Sequence, residues 1–356
     1  MIKLLIVDDS NTELAILKHI FEQDKTIEIV GYAQNGKEAV TLVPILKPDI
    51  VTMDIQMPVM DGLLATRCIM SEYPVPIVII SSKLNELEMG ATFQAFEAGA
   101  LAVIDKPLNI AAPEFEQTSK RIIAIIHSMA EIKTIKHRFS RIKKEINLPS
   151  YANTPHHLLP YELVVIGASI GGPQALKNIF SALSDDFSAP ILVVQHMTIG
   201  FINGFVKWLD NEVRLTVKIA ENHEPLKKGT IYFAPDGYHL GITNQAYSLT
   251  AKLFKGAPEA DFCPSITELF KSVATIYPKK SIGVLLTGMG NDGAQGLLSL
   301  RQAGGHTIIQ DAKSAVVFGM PGVAASLNAV DKVVELEKIG DYLTMMTRTS
   351  SGSVRK

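Results

Sequence analysis

Two groups of residues in this chain have the types and spacing to do chemistry. The first is acidic: Leu4-Leu5-Ile6-Val7 runs into Asp8-Asp9, and Ile50-Val51-Thr52-Met53 runs into Asp54. Two further apolar runs lead to polar groups, Ile77-Val78-Ile79-Ile80 to Ser81 and Ala102-Val103-Ile104 to Lys106-Pro107. Clustered carboxylates need a cation partner. Three of them with a hydroxyl and an ammonium suit Mg2+ and an incoming phosphoryl group. The second group combines serine, histidine and aspartate. Leu163-Val164-Val165-Ile166 breaks into Gly167-Ala168-Ser169-Ile170-Gly171-Gly172-Pro173, and Ile191-Leu192-Val193-Val194 ends at Gln195-His196-Met197. Ile282-Gly283-Val284-Leu285-Leu286 ends at Thr287-Gly288-Met289-Gly290-Asn291-Asp292-Gly293. A nucleophile, a base and a carboxylate that orients the base are what acyl transfer requires.

Short Val/Ile-rich runs alternate with helical patterns in both halves, which predicts two α/β domains built on parallel sheets. In such sheets ligands bind beyond the carboxyl ends of the strands, where all of these polar groups fall. In the first half Ser10 or Asn11 caps a helix carrying Leu14, Leu17 and Phe21, and further helices are expected over 37–46, 62–72 and 85–98, with Gly99 as a stop. Asp61-Gly62 reads as a turn. In the second half a strand that breaks into glycines before a helix lifts the Ser169 hydroxyl to the sheet edge. Pro173 suits a first helical position, and the helix N-terminus favours a developing oxyanion.

Between the halves, 118–145 reads as one helix with an apolar stripe of Ile132, Ile135, Phe139 and Ile142 and otherwise basic faces, a solvated helix docking its stripe on a neighbour, with a membrane-surface or receptor-binding role as the alternative. Pro149, Pro155 and Pro160 then mark an extended hinge. The expected organisation is a first domain over 1–120, a helical linker and hinge over 121–160 and a second domain over 161–350.

A net charge of −2 gives no electrostatic case for nucleic acid, and two cysteines, Cys68 and Cys263, fit a reducing compartment. No apolar run approaches the roughly 18 residues of a membrane span, and the chain opens on a strand rather than a signal peptide. A cytoplasmic protein without membrane insertion is expected.

Three other readings compete. The order Ser, His, Asp differs from that of the α/β-hydrolases and of the common serine proteases, so the G-x-S-x-G match implies a triad on another scaffold. Gly288-Met289-Gly290-Asn291-Asp292-Gly293 also fits a dinucleotide fingerprint, but Asp292 would set a negative charge beside the pyrophosphate. A switch domain joined to a degenerate catalytic domain that only binds its target is the non-enzymatic alternative.

Asp8-Asp9, Asp54, Met57-Pro58-Val59-Met60-Asp61-Gly62, Ser81 and Lys106-Pro107 together resemble the receiver domain of bacterial response regulators, a flavodoxin-like fold. The resemblance implies that Asp54 takes phosphate from a histidine kinase. It implies that Asp8, Asp9 and Asp54 hold Mg2+ with the backbone carbonyl of Gln56, while Ser81 and Lys106 grip the phosphoryl group. Where many receivers carry an aromatic switch residue this chain has Val103.

Gly167-Ala168-Ser169-Ile170-Gly171-Gly172, Gln195-His196-Met197, Ala234-Pro235, Leu286 to Gly293 and Val317-Phe318-Gly319-Met320-Pro321 resemble the catalytic domain of the chemotaxis protein-glutamate methylesterases. The resemblance implies a doubly wound parallel sheet. It also implies hydrolysis of glutamyl methyl esters on the cytoplasmic helices of methylated chemoreceptors, with deamidation of receptor glutamines a companion activity. Ser169 would be the nucleophile, His196 the base and Asp292 its orienting partner, with amides around Ile170 and Met289 forming an oxyanion hole and no cofactor for the esterase. Members often carry His-Arg-Pro-Ser where this chain has Phe262-Cys263-Pro264-Ser265, and Pro-Pro where it has Thr198-Ile199. The order of the domains implies that an unphosphorylated receiver restrains the esterase.

Overall fold

The computed structural model describes residues 1–81, 94–96, 98–106, 115–130, 160–245, 248–256 and 262–348. The expected helix over 85–98 falls outside them except at its end. The apolar stripe from Ile132 to Ile142 and the prolines at 149 and 155 lie outside them altogether. The chain divides into two compact units, Met1–Lys144 and Glu145–Lys356.

In the first unit, strands β1 (Ile2–Val7), β2 (Ile27–Ala33), β3 (Ile50–Met53), β4 (Ile77–Ser81) and β5 (Ala102–Asp105) form one parallel sheet in the order β2-β1-β3-β4-β5. The central strands read as continuous apolar runs because both faces are covered; Leu4, Leu5, Ile6, Val51, Met53, Ile77 and Ile79 are fully buried. Helix α1 (Asn11–Phe21) starts at Ser10, whose hydroxyl accepts from the Glu13 amide. Helix α2 (Gly36–Leu46) starts at Asn35, and α3 (Gly62–Glu72) at Asp61. Asp61 is thus a helix cap, taking the Leu64 amide at 2.8 Å, where the sequence suggested a turn. The chain leaves β1 to one side and returns to β3 on the other. That reversal opens a crevice at the strand ends.

Helix α4 (Phe115–Ala130) starts earlier than the pattern indicated and buries Ile122, Ile126 and Met129. It packs on α1 and β3, and His127 Nε2 pairs with Asp24 at 2.8 Å. This stretch therefore belongs to the first core.

The second unit is built on a seven-stranded parallel sheet. Its strands are β6 (Leu163–Ala168), β7 (Ile191–Gln195), β8 (Thr216–Ile219), β9 (Thr230–Phe233), β12 (Ser281–Leu285), β13 (His306–Gln310) and β14 (Lys332–Val334), in the order β14-β13-β12-β6-β7-β9-β8. An antiparallel hairpin, β10 (His239–Gln245) with β11 (Ser248–Phe254), stands outside it and was not foreseen. Helices α5 (Gly172–Ser181), α6 (Ile202–Glu212), α7 (Ile266–Ile276), α8 (Ala294–Gln302), α9 (Met320–Ser326) and α10 (Leu336–Thr347) complete it. Helix α7 packs on both α8 and the hairpin, with Leu269, Phe270 and Val273 buried. Strand β6 is the point of reversal here, flanked by β7 on one side and β12 on the other. The loops after these three strands are the ones that carry Ser169, His196 and Asp292.

Candidate functional site

In the first unit, register does most of the positioning. Val7 pairs with Met53, and the Asp54 amide donates to the Val7 carbonyl at 2.9 Å, so Asp8 and Asp54 emerge side by side. Ser81 pairs with Asp105 and its carbonyl accepts from the Lys106 amide at 2.8 Å, which sets Ser81 and Lys106 together at the same edge. Gly62 keeps the loop after Asp54 tight: a Cβ there would meet the Asp54 carbonyl oxygen at 1.9 Å. Gln56 lies exposed in that loop.

Oxygens of Asp8, Asp9 and Asp54 lie within 4.8 Å of one another, and this is the carboxylate, histidine or cysteine cluster of metal-binding spacing found among the described residues. Lys106 Nζ stands 2.9 Å from Asp8 and 3.0 Å from Asp54, and it also pairs with Glu13. Burial pushes the carboxyls of Asp8 and Asp54 above their ordinary range despite the opposing pull of Lys106. For Lys106 burial acts in the opposite direction, but Glu13, Asp54 and Asp8 outweigh it and hold the ammonium above its usual range. One ammonium thus faces three carboxylates, with Asp9 beside them. Oxygen donors left short of positive charge are the donor set that a hard divalent cation takes. The residues present fit Mg2+. Glu13 is the participant the sequence reading missed; its place one turn along α1 from Ser10 is the signal that could have found it.

In the second unit, β6 and β7 pair with Ala168 opposite Gln195, and the His196 amide donates to the Ala168 carbonyl at 2.9 Å. Ser169 and His196 are therefore the next residues on adjacent strands. The Ser169 amide donates to Thr287 at 3.0 Å, which ties the serine to the loop after β12. A Cβ on Gly288 would lie 2.7 Å from the Ser169 Cβ, so that loop passes directly over the serine. Gln195 Nε2 donates at 2.8 Å to the carbonyls of both Ser169 and His196. Gly171 and Gly290 have φ of 75° and 85°, a left-handed turn of the backbone just beyond Ile170 and Met289. Met289 is exposed at the rim.

Asp292 is buried and sits at the start of α7. Its carboxylate accepts from the Ser265 hydroxyl at 3.0 Å and from the amides of Ile266, Thr267 and Gly293 at 2.8, 2.9 and 2.9 Å. His196 Nε2 stands 3.0 Å from its Oδ2. Burial alone would raise this carboxyl, but the His196 imidazole and the Thr267 hydroxyl and amide outweigh it and hold Asp292 well below the usual range. A helix N-terminus favours the ionised form in the same sense. The imidazole also lies flat against Phe262, with ring centroids 4.7 Å apart. Ser265, Gln195 and Phe262 are supporting residues to which the sequence reading gave no role, although Gln195 lies in the Gln195-His196-Met197 motif and Phe262 and Ser265 in the segment that departs from the family's His-Arg-Pro-Ser.

The structure thus brings Ser169, His196 and Asp292 to one crevice of the second unit, and Asp8, Asp9, Asp54, Ser81 and Lys106 to one crevice of the first. Among the described residues no helix is long and apolar enough to cross a membrane.

Two family models match the chain: the response regulator receiver domain over residues 4–113 and the CheB methylesterase over residues 164–343. A protein of Syntrophus aciditrophicus named protein-glutamate methylesterase/protein-glutamine glutaminase 1 is 43% identical over 97% of this chain and 98% of its own length. A counterpart from Pyrococcus horikoshii is 38% identical over 95% of this chain and 91% of its own. The crystal structure of the Thermotoga maritima CheB methylesterase catalytic domain superimposes with a TM-score of 0.51 at 38% identity, covering 52% of this chain and 99% of that one. The fold and both sites define a receiver-linked α/β enzyme. The chain belongs to the CheB family of protein-glutamate methylesterases.

Proposed function

We propose that this chain is a phosphorylation-regulated serine esterase that hydrolyses glutamyl methyl esters on chemoreceptors and releases methanol. The observation that carries the reading is the His196–Asp292 pair at 3.0 Å beside the register neighbour Ser169. Nε2 of His196 faces the carboxylate, which leaves Nδ1 as the base. Ser169 Oγ attacks the ester carbonyl carbon while Nδ1 takes its proton, and the charge developing on the carbonyl oxygen falls to the amides near Ile170 and Met289. The tetrahedral adduct collapses with cleavage of the carbon–oxygen bond, and the imidazolium returns its proton to the departing methanol. Water then attacks the glutamyl-serine ester by the same route, restoring Ser169 and leaving a glutamate carboxylate. Asp292 stays ionised throughout and stabilises the imidazolium. A glutamine side chain in the same position would release ammonia, the reaction that the relatives' second name describes.

In the first unit an Asp54 oxygen attacks the phosphorus of a phosphohistidine donor and displaces the donor imidazole. Asp8, Asp9, Asp54 and the Gln56 carbonyl would hold Mg2+, which when bound would neutralise charge on the phosphoryl oxygens. Lys106 and Ser81 then contact the phosphoryl group. Phosphorylation adds about −1.5 to −2 charge to a site already rich in carboxylates, enough to bias a two-state element. The expected partners are a histidine kinase and methylated receptor helices, and the expected location is the cytoplasm.

The test is methanol release from methylated receptor membranes by wild type and Ser169→Ala, each with and without a small-molecule phosphodonor and Mg2+. Release that requires Ser169 and rises with the donor supports both halves. Release indifferent to the donor rejects the regulation, and release from Ser169→Ala rejects the nucleophile.

A further inference from the structure

The planes of the His196 imidazole and the Phe262 ring are 7° from parallel at a centroid separation of 4.7 Å. Phe262 is 42% exposed, so folding of the core does not account for where this ring lies. Asp292 also stands against the imidazole, and its oxygens already take four donors from Ser265, Ile266, Thr267 and Gly293. His196 Nε2 reaches Asp292 Oδ2 at ion-pair distance, but without the alignment of a hydrogen bond. An ionic contact of that kind sets the separation and leaves the tilt of the ring open. A flat plate sets the tilt.

We propose that Phe262 is a positioning residue that fixes the plane of the His196 imidazole and so aims its free nitrogen at Ser169. The inference rests on the reading of His196 as the base. The phenyl face is also the negative pole of the ring quadrupole, so the stack tightens when the imidazole gains the serine's proton. The plate thereby favours the charged intermediate over the resting base. Being uncharged at every pH, it cannot repel the imidazolium. Because the ring is partly exposed, removing it would admit water to the base.

The experiment compares full-length wild type with Phe262→Leu, Phe262→Ala and Phe262→Tyr, all given phosphodonor and Mg2+. Labelling with a fluorophosphonate serine probe comes first. Wild type that labels while Ser169→Ala does not establishes an activated Ser169; wild type that fails to label removes the triad reading, and the proposal with it. Where labelling succeeds, Phe262→Leu and Phe262→Ala should label and turn over about 10-fold more slowly with KM little changed, and Phe262→Tyr should restore the rate, since small misplacements of a base are costly. In protein labelled at histidine Cε1, the resonance assigned to His196 by a His196→Gln sample should move in Phe262→Leu and return in Phe262→Tyr as the ring current is lost and regained. A Leu variant that folds, keeps the wild-type kcat and shows no His196 shift overturns the proposal. So does a change confined to KM, which would make Phe262 a substrate contact.

Discussion

The side-chain amide of Gln195 donates to the main-chain carbonyl of Ser169 at 2.8 Å, so the residue before the base also holds the turn that carries the nucleophile. The same nitrogen reaches the His196 carbonyl at 2.8 Å. Gln195 is 4% exposed, and nothing outside the protein can substitute for it. Replacing it with Ala leaves two carbonyls without their donor in a buried place, a loss of about 1–3 kcal/mol. Gln195→Ala should lower both the melting temperature and kcat. Gln195→Glu, which keeps the shape but removes the donor, should lower kcat just as far; retention of wild-type turnover by either variant in the methanol assay would contradict this role.

Asp292 is the subject of a second prediction. Asn at this position keeps the volume but cannot accept from all four donors or stabilise the imidazolium. Loss of the equivalent charge in a serine triad lowers turnover by about 10⁴-fold. The fold should suffer as well, with a defined pH dependence. Because the folded-state pKa is depressed, the stability Asp292 contributes is fully present above its unfolded value near 3.8 and is lost as pH falls below that toward the lower folded value. Denaturation of wild type and Asp292→Asn should therefore differ at neutral pH and converge in strong acid.

The first unit predicts the opposite sign. Asp8 and Asp54 have raised carboxyl pKa values, so their ionised forms are held at a cost to the fold. The stability they offer is present below the unfolded value of 3.8 and is lost as pH rises through the folded values. At pH 7 without Mg2+, Asp54→Asn should melt higher than wild type, with the gap closing in acid. Millimolar Mg2+ should raise the wild-type transition and act far less on the variant. Scanning calorimetry with and without EDTA measures both effects; a wild-type transition that ignores Mg2+ would argue against the ion site.

Glu13 competes for the cation that the phosphoryl group needs. Lys106 pairs with Glu13 as well as with Asp8 and Asp54, and a partly buried carboxylate there adds negative charge beside the site that an anionic donor must reach. Glu13→Gln should accelerate phosphorylation of Asp54 by acetyl phosphate several-fold, an effect that shrinks with added salt as screening requires. Phosphoprotein gel mobility or intrinsic fluorescence under pseudo-first-order donor gives the rate. A slower reaction would mean that Glu13 instead holds Lys106 in a productive position.

Much of this was legible in the residues because strand ends, caps and glycine turns act locally. Asp8, Asp54, Ser81 and Lys106 each follow an apolar run, and a parallel sheet delivers every run's end to one edge. The same logic gathered Ser169, His196 and Asp292 once β6 was seen to lie between β7 and β12. What did not read out were contacts set by packing between distant segments. Phe262 meets His196, and Ser265 meets Asp292, through the placement of α7 against α8 and an antiparallel hairpin that no motif announces. Glu13 was visible only as a surface position on α1. The early start of α4 escaped because its first turn, Phe115 to Thr118, has no apolar period of its own.

Asp292 closes the start of α7 with the same carboxylate that serves His196, and this double duty has an evolutionary consequence. A descendant that abandons hydrolysis is free to discard Ser169, whose loss leaves the fold intact, but it cannot discard Asp292 without unseating a helix. Decay of the activity should therefore begin at the nucleophile, and an aspartate kept here by a relative lacking the serine would be a relic of architecture rather than a sign of catalysis.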